Sequence, residues 1–223
     1  MLQILFCSVD YWIIEKPAGM SFHAESEELG VMQALAITYP HQDFYPVHRL
    51  DKMTSGLLIV ACHAAAAAVF GKMFENHEME KRYLALSTKK PKKKQGTIAG
   101  GMVPSRRGQW KLTQDNQNLA VTQFFSASFQ GLRVFIVRPL TGKTHQIRVA
   151  LKSLGSPILG DLRYSGEEAD RGYLHAYSLR FQWQGEVKSY VSLPKSGERF
   201  SSELSDFVAT QFDESLLKWP SKK

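Results

Sequence analysis

The chain has 223 residues, of which 43% are hydrophobic and 22% charged, so it is long enough to bury a full core and has an ordinary globular composition. No stretch approaches the ~20 apolar residues of a membrane-spanning helix, and the first residues show neither a basic leader nor a small-residue cleavage site. The two cysteines, Cys7 and Cys62, lie in apolar, strand-like surroundings and are too few for a disulfide framework or a zinc site. We therefore expect a cytoplasmic protein with reduced, buried thiols, built as a single domain over residues 1–223.

The positive charge of the chain is concentrated in one segment. The net charge is +7 at pH 7, yet residues 1–80 carry ten acidic and only four basic residues. Residues 81–111 carry ten basic residues and no acidic one. Such a segment is expected in a protein that contacts a phosphate backbone, although lysine-rich solvated loops also occur in proteins that bind no nucleic acid.

Strands and helices are predicted along most of the chain. Short apolar or alternating runs bounded by Gly and Pro predict strands, and apolar residues spaced three and four apart predict helices. In chain order we predict a strand at Val9–Lys16, a helix at Gly30–Tyr39, a strand at Leu57–Ala61, a helix at Ala64–His77, strands at Lys81–Thr88, Leu119–Ser128 and Leu132–Leu140, a helix at Thr144–Leu154, strands at Tyr173–Trp183 and Val187–Leu193, and a helix at Ser201–Phe212. Residues 216–223 are expected to be frayed. Because strands far outnumber βαβ units, we expect an α+β fold with a mixed, mainly antiparallel sheet flanked by helices.

The basic segment is predicted to be an exposed insertion, a loop or hairpin at about residues 89–111. We expect its basic side chains to form a mobile flap that closes over a bound nucleic acid. They are Lys89, Lys90, Lys92, Lys93, Lys94, Arg106 and Arg107. Trp110 either stacks on a nucleotide or anchors the hairpin in the core.

The stretch Val47–Ala61 is the first candidate for a reactive site. Its second half is an unbroken apolar run, which is typical of a strand buried on both faces. A polar cluster that contains Asp51 comes directly before this strand, and a buried strand fed by a Gly-containing turn is a rigid support for a carboxylate. Asp51 is therefore a candidate catalytic residue, although an aspartate before a Ser-Gly turn is also common as a turn or capping residue.

The stretch Arg138–Tyr164 is the second candidate. Its Gly142-Lys143-Thr144 lacks the Gly five residues earlier that a phosphate-binding loop needs, because that position is Val137. Helical spacing predicts a polar face with Arg148, opposite a buried face; the polar face also carries His145 and Lys152. Arg148 could offer its guanidinium to a carboxylate from elsewhere in the chain, or the face could simply be solvated.

Several of these stretches resemble the RluA-like family of pseudouridine synthases. HRLDKMTSG is similar to the family signature HRLDxxTSG, and VDYWIIEKPAGMSFH is similar to a first motif with Lys-Pro-x-Gly at its core. TGKTHQIRVA is similar to TGRTHQIRVH, with Lys143 and Ala150 in place of the usual Arg and His, and a GxPIxGDxxY element follows. Lys81-Arg82-Tyr83-Leu84-Ala85 matches Lys-x-Tyr-x-Ala, and Leu174-His175-Ala176 matches a Leu-His-Ala signature.

The resemblance implies a pseudouridine-synthase-like fold with a central RNA-binding cleft, and an enzyme that isomerises a specific uridine of ribosomal or transfer RNA without a cofactor. It implies Asp51 as nucleophile, with Tyr83 and Arg148 as further catalytic residues. The substrate-binding residues that we expect are His48, Arg49, Thr54, Lys92, Lys93, Arg106, Arg107, Lys143, His145 and Leu174. Since the first motif begins near residue 9, no separate N-terminal RNA-binding module is expected.

Two other functions remain open at this point. One is a non-catalytic RNA-binding or ribosome-assembly protein on the same scaffold, against which the intact catalytic residues argue. The other is a hydrolase that cleaves N-glycosidic bonds with the same carboxylate and releases uracil. RNA is the expected partner, and we expect a monomer without metal or membrane contact, because His48, His145 and His175 have no recognised ligand spacing.

Overall fold

The computed structural model describes residues 2–23, 28–213 and 216–220. The strands are β1 (Gln3–Cys7), β2 (Tyr11–Lys16), β3 (Tyr45–Pro46), β4 (Ser55–Ala61), β5 (Glu80–Ser87), β6 (Gln95–Pro104), β7 (Trp110–Thr113), β8 (Leu119–Phe129), β9 (Leu132–Pro139), β10 (Leu174–Trp183) and β11 (Glu186–Val191). The α-helices are α1 (Val31–Thr38), α2 (Ala64–Glu75), α3 (Gln146–Ser153) and α4 (Ser202–Gln211), and short 3-10 helices lie at Arg106–Gly108 and Leu162–Tyr164. None of the helices in these described ranges is long and apolar enough to cross a membrane.

The chain divides into two compact units. The first comprises Met1–Lys81 and His175–Ser192, and the second comprises Arg82–Leu174 and Leu193–Lys223. Both units are built on strands paired mainly antiparallel, with helices beside them, as expected from the excess of strands over βαβ units.

In the first unit, β4 is the central strand. It pairs with β2 and β3 antiparallel and with β10 parallel, while β1 extends the sheet beyond β2 and β11 pairs with β10. All seven residues of β4 are buried, which confirms the prediction from its unbroken apolar run. Phe70 of α2 packs over the sheet, stacked on Trp183 with ring centroids 4.4 Å apart. Val69 of the same helix, although apolar, is 47% exposed.

In the second unit, five strands pair antiparallel in the order β5-β9-β8-β6-β7. A turn at Gln130-Gly131 joins β8 to β9, and both residues have positive φ, 44° and 79°, as a two-residue hairpin turn of type I′ requires. Helix α3 contributes Val149 to a buried cluster with Met102 and Tyr164, against which Trp110 packs.

Three expectations require correction. Strand β1 was not predicted, and Cys7 at its end is exposed while Cys62 is buried. The hairpin predicted at about residues 89–111 is formed by β6 and β7, Gln95–Pro104 and Trp110–Thr113, and the lysine run precedes it. The C-terminal segment is not frayed over residues 216–220, since the carbonyl of Pro220 accepts a hydrogen bond from Gln123 at 3.0 Å; residues 221–223 lie outside the described part of the chain.

Candidate active site

Asp51 lies on a tight turn directly before β4. The carbonyl of Asp51 accepts a hydrogen bond from the backbone N–H of Thr54 at 3.0 Å, which closes a four-residue turn. Leu50 on one side of Asp51 is 6% exposed and Thr54 is 2% exposed, so the turn is held in the core at both ends. Asp51 itself is half-buried. The backbone of this carboxylate is therefore fixed while its side chain keeps access to solvent.

A buried lysine, Lys16, hydrogen-bonds the backbone of this turn. Lys16, at the end of β2, has no exposed surface, and its Nζ donates to the carbonyls of Pro17 at 2.9 Å, Met20 at 2.6 Å and Lys52 at 3.2 Å. The backbone N–H of Gly19 also donates to the carbonyl of Lys52, at 2.8 Å. The Lys-Pro-x-Gly motif therefore connects the end of β2 to the residue that follows Asp51. The sequence predicted a supporting turn here, but not that Lys16 would carry the connection.

The Ser-Gly pair after the turn sets the contact between β4 and β10. Ser55 hydrogen-bonds Nδ1 of His175 at 2.8 Å, and Nε2 of His175 lies 2.9 Å from the carbonyl of Ser192. A carbonyl only accepts, so Nε2 carries the proton and, in the neutral ring, Nδ1 accepts from the Ser55 hydroxyl. A Cβ at Gly56 would lie 2.4 Å from the backbone oxygen of Ala176, which explains why this position is glycine.

The other predicted residues of this stretch differ in exposure. The backbone N–H of Ile59 donates to Nε2 of His48 at 3.0 Å, and the His48 ring stacks on Phe74 with centroids 4.7 Å apart. Burial, and to a smaller extent the charge of Lys81, lowers the pKa of His48 to about 3, so its ring is neutral near pH 7. Arg49 is exposed. His48 thus supports β4 and α2, whereas Arg49 is open to a ligand.

In the second unit, Arg148 on α3 forms a buried ion pair with Asp161. Nε of Arg148 donates to Oδ2 at 2.7 Å and Nη2 donates to Oδ1 at 2.8 Å, and the two side chains are only 8% and 1% exposed. Of the two alternatives for Arg148, the structure confirms a guanidinium bound to a carboxylate from elsewhere in the chain, and the solvated face is wrong. Periodicity assigns a charge to the solvent face unless a partner is known, and the carboxylate follows 13 residues later in the chain.

Tyr164 connects this ion pair to two neighbouring elements. Its ring lies against the Arg148 guanidinium, with Cζ 4.9 Å from the ring centroid. Its hydroxyl accepts a hydrogen bond from the backbone N–H of Trp110 at 2.8 Å and lies 2.9 Å from Nδ1 of His145. His145 precedes α3 in a left-handed conformation, with φ 58°. The predicted substrate-binding residue His145 therefore also has a local structural contact.

Gln146 fixes the loop that leads into α3. Its Oε1 accepts from the Thr141 hydroxyl at 2.7 Å and from the backbone N–H of Lys143 at 2.9 Å, while its Nε2 donates to the carbonyl of Val121 at 3.0 Å. Since Val121 belongs to β8, Gln146 connects the Thr-Gly-Lys-Thr loop to the sheet. The side chain of Lys143 is half-exposed beside this loop.

The comparison with known protein families decides the identity of this arrangement. A family model described as RNA pseudouridylate synthase matches residues 10–153, which include the Asp51 turn and the whole of α3. The chain belongs to the RNA pseudouridylate synthase family. Members of this family are isomerases, and the match confirms the resemblance drawn from the motifs.

Individual relatives agree with this assignment. An uncharacterized RNA pseudouridine synthase from Haemophilus influenzae is 48% identical over 200 residues, which cover 88% of this chain and 89% of the relative. Ribosomal large subunit pseudouridine synthase C from Rickettsia bellii is 36% identical and covers 74% of this chain, which spans only 59% of that longer protein. The solved structure of human RNA pseudouridylate synthase domain containing 1 superimposes with a TM-score of 0.74 at 28% identity, covering 87% of this chain and 84% of the human one.

Tyr83, the third residue that the family resemblance marks as catalytic, lies on β5. It pairs with Val137 of β9 and is half-buried. Alternation along the strand places Arg82 on the opposite face, where its Cζ lies 5.9 Å from the ring centroid of Trp219. Leu174, predicted to contact the substrate, is 3% exposed. The C-terminal Trp219 thus covers the back of the strand that carries this family tyrosine.

The basic residues of this family member occupy two places in the second unit. The run Lys89–Lys94 is held at its backbone, because Lys92 donates its N–H to the carbonyl of Leu154 at 2.9 Å and the hydroxyl of Ser156 donates to the carbonyl of Lys89. Arg106 and Arg107 lie at the exposed tip of the β6–β7 hairpin. The ten residues of β6 separate the two groups, a length of about 33 Å for an extended strand.

These positions contradict a single flap that carries all seven basic residues. Lys92 and Lys93 do not lie with Arg106 and Arg107, because β6 runs between them. Trp110 packs against the buried cluster of the second unit, which supports its role as an anchor of the hairpin. In the described part of the chain, no three His, Cys, Asp or Glu side chains gather as metal ligands.

Proposed function

We propose that this protein converts a specific uridine of ribosomal or transfer RNA to pseudouridine, with Asp51 as the nucleophile. The observation that carries the proposal is the support of Asp51: the aspartate of HRLDKMTSG follows a buried leucine, and the carbonyl of the next residue accepts from the buried Lys16. A reacting carboxylate needs such rigid placement, because an error of about 1 Å can cost ~100-fold in rate.

The chemistry requires little beyond a well-placed carboxylate. The N1–C1′ glycosidic bond of uridine breaks, the uracil turns, and C5 bonds to C1′; C5 then loses its hydrogen as a proton, and N1 carries a proton in the product. No oxidant, reductant or external group enters the balance. Asp51, when ionised, attacks C1′ or stabilises the oxocarbenium-like charge that develops there.

The remaining family residues account for the demands on substrate and nucleophile. Arg148 is the second catalytic residue that the family resemblance implies, and Asp161 fixes its guanidinium. Extruding a base from an RNA stack costs roughly a few kcal/mol, and stacking on an aromatic ring such as Tyr83 returns ~1–3 kcal/mol. Arg49 is exposed beside the Asp51 turn, in keeping with a side chain that fills the space left by the extruded nucleotide.

The names of the relatives suggest where to look for the substrate. Several Rickettsia relatives are named ribosomal large subunit pseudouridine synthase C, and they are 33–36% identical to this chain. Large-subunit ribosomal RNA is therefore the first substrate to test, with transfer RNA second.

The test uses RNA labelled with tritium at C5 of uridine. Isomerisation releases this tritium to water, because C5 exchanges its hydrogen for the bond to C1′. We expect release by the wild-type protein and by Asp43→Asn, an exposed aspartate that serves as control, and none by Asp51→Asn. Release of free uracil instead would identify a hydrolase, RNA binding without either product would identify a non-catalytic protein, and substantial turnover by Asp51→Asn would refute Asp51 as nucleophile.

A further inference from the structure

Asp161 uses its whole carboxylate to hold one arginine. Both oxygens accept from Arg148, at 2.7 and 2.8 Å, in the parallel two-bond geometry that is the strongest arrangement for this pair. Asp161 is 1% exposed at its side chain, so water does not weaken the pair. The arginine cannot rotate without breaking both bonds at once.

The backbone around Asp161 is itself rigid. The carbonyl of Asp161 accepts from the N–H groups of Tyr164 at 3.0 Å and Gly166 at 2.9 Å, and its own N–H donates to Ile158 at 3.1 Å. Gly160 has φ 79°, and a Cβ there would lie 1.9 Å from the carbonyl oxygen of Arg171. A carboxylate on such a loop has a fixed position, and it transmits this position to its partner.

A second restraint acts on the face of the same guanidinium. The Tyr164 ring lies 4.9 Å from Cζ of Arg148, and Tyr164 has no exposed surface. Its hydroxyl is fixed by Trp110 on β7 and by His145 before α3. Arg148 is therefore held along one edge by Asp161 and on one face by Tyr164. Two of its five N–H groups are used in the ion pair, on the Nε and Nη2 side.

We infer that Asp161 is a positioning residue for the isomerisation: it orients the guanidinium of Arg148, the catalytic arginine of the proposed function, and supplies the counter-charge that allows Arg148 to be buried. The inference rests on the proposed function, in which Arg148 is catalytic. Nothing in it requires Asp161 to touch RNA. A lysine at position 148 would keep the charge but could not form the two parallel bonds. Asp161 could then no longer orient the side chain at that position.

The first experiment compares Asp161→Asn with wild type under single turnover, in excess enzyme with tritium-labelled RNA. Asparagine has nearly the same shape but only one acceptor oxygen, so one bond of the pair is lost together with the charge. We expect the rate to fall ~10–100-fold, while the dissociation constant for RNA changes less than about 3-fold. The control is Asp206→Asn, the same substitution at an exposed carboxylate of the same unit, which should leave both quantities unchanged.

A double-mutant cycle with Arg148→Lys separates positioning from general structural damage. If Asp161 acts through Arg148, adding Asp161→Asn to Arg148→Lys should lower the rate by less than about 3-fold further, whereas independent effects would multiply. Urea denaturation of each variant ensures that the rates refer to folded protein. Multiplying effects, or full activity of Asp161→Asn, would overturn the inference.

Two further results keep the inference and the proposed function apart. If Arg148→Ala loses activity while Asp161→Asn keeps it, the proposed function stands and only the inference fails; if wild type makes no pseudouridine, the proposed function fails. Should Asp161→Asn not fold, nitrogen-15 NMR of wild type gives the answer, because the held guanidinium must show a slowly exchanging Nε–H and hindered rotation about Cζ–Nε. Rapid exchange with free rotation would overturn the inference.

Discussion

Replacing Lys16 by methionine tests whether the turn at Asp51 depends on one buried ammonium group. The side chain has no exposed surface, and its Nζ donates to the carbonyls of Pro17, Met20 and Lys52. Methionine fits a similar volume but donates nothing. The carbonyl of Lys52 keeps the Gly19 N–H as a donor, whereas the carbonyls of Pro17 and Met20 lose the lysine.

The size of the effect follows from these groups. A hydrogen bond with a charged donor contributes about 1.5–3 kcal/mol, so the two bonds to these part-buried carbonyls contribute roughly 3–6 kcal/mol. Removing the ammonium also removes its desolvation penalty, which offsets part of this loss. We expect the free energy of unfolding to fall by about 3 kcal/mol, which for a protein of this size lowers Tm by ~6–12 °C.

Urea denaturation and the tritium-release assay together measure the result. Lys72→Met, the same substitution at an exposed position of α2, serves as control and should change stability by less than ~0.5 kcal/mol. At a temperature where Lys16→Met is still folded, its turnover should fall further than the folded fraction does, because the Asp51 turn has lost its support. A stability within ~1 kcal/mol of wild type would refute the reasoning, since the ammonium would then contribute less than a single charged hydrogen bond.

Three more predictions concern a buried histidine, a glycine in β4 and the lysine run. Burial lowers the pKa of His48 to about 3, against about 6.5 in an unfolded chain. The contribution of His48 to stability is therefore complete above pH ~6.5 and is lost as the pH falls toward 3, by ~1.4 kcal/mol per pH unit. When the free energy of unfolding is measured in urea at pH 7 and at pH 5, the difference between the two values should be about 2 kcal/mol smaller for His48→Asn than for wild type. Gly56→Ala should destabilise the protein by more than ~3 kcal/mol, because its Cβ would lie 2.4 Å from a backbone oxygen, whereas Gly71→Ala, with no atom within 4 Å in α2, should stabilise by ~0.5–1 kcal/mol; equal effects in thermal melts would contradict this. Neutralising the five lysines of 89–94 should flatten the slope of log K for RNA against log[salt] by ~0.7 for each single-strand phosphate that the protein no longer neutralises, independently of neutralising Arg106 and Arg107, and an unchanged slope would mean that the lysine run is only a solvated loop.

Much of the fold was predictable because strands, turns and helix ends are each specified by a short local pattern of residues. The unbroken run Leu57–Ala61 becomes a wholly buried strand, and the turn at Gln130-Gly131 joins two strands as its residues require. Helix ends were also close to prediction, with Ser201 accepting a hydrogen bond from the N–H of Leu204 at the start of α4. Such signals act over a few residues, so a single sequence suffices to read them.

What the sequence did not reveal are contacts between distant residues that bury a charge. Lys16 and Arg148 are both long basic side chains that a local pattern assigns to solvent, and both are buried with acceptors supplied from elsewhere in the chain. Asp161 belongs to the GxPIxGDxxY element, but the sequence predicted no role for it. The lysine run looked like a flap because composition cannot show that Ser156 and Leu154 hold its backbone.

The family motifs are connected to one another inside each unit by side-chain hydrogen bonds. Lys16 of the first motif holds the carbonyl of Lys52 in the second, and Ser55 of the second hydrogen-bonds His175 of the last. In the other unit, Arg148 of the third motif takes its partner from the element that follows. A motif residue such as Ser55 is therefore constrained by another motif rather than by the substrate. Replacing Ser55 by alanine leaves Nδ1 of His175 buried without this donor, which should lower the free energy of unfolding by about 1–3 kcal/mol. Because the same strand begins where the Asp51 turn ends, the loss reaches the nucleophile through the backbone and would lower turnover before it lowered affinity for RNA.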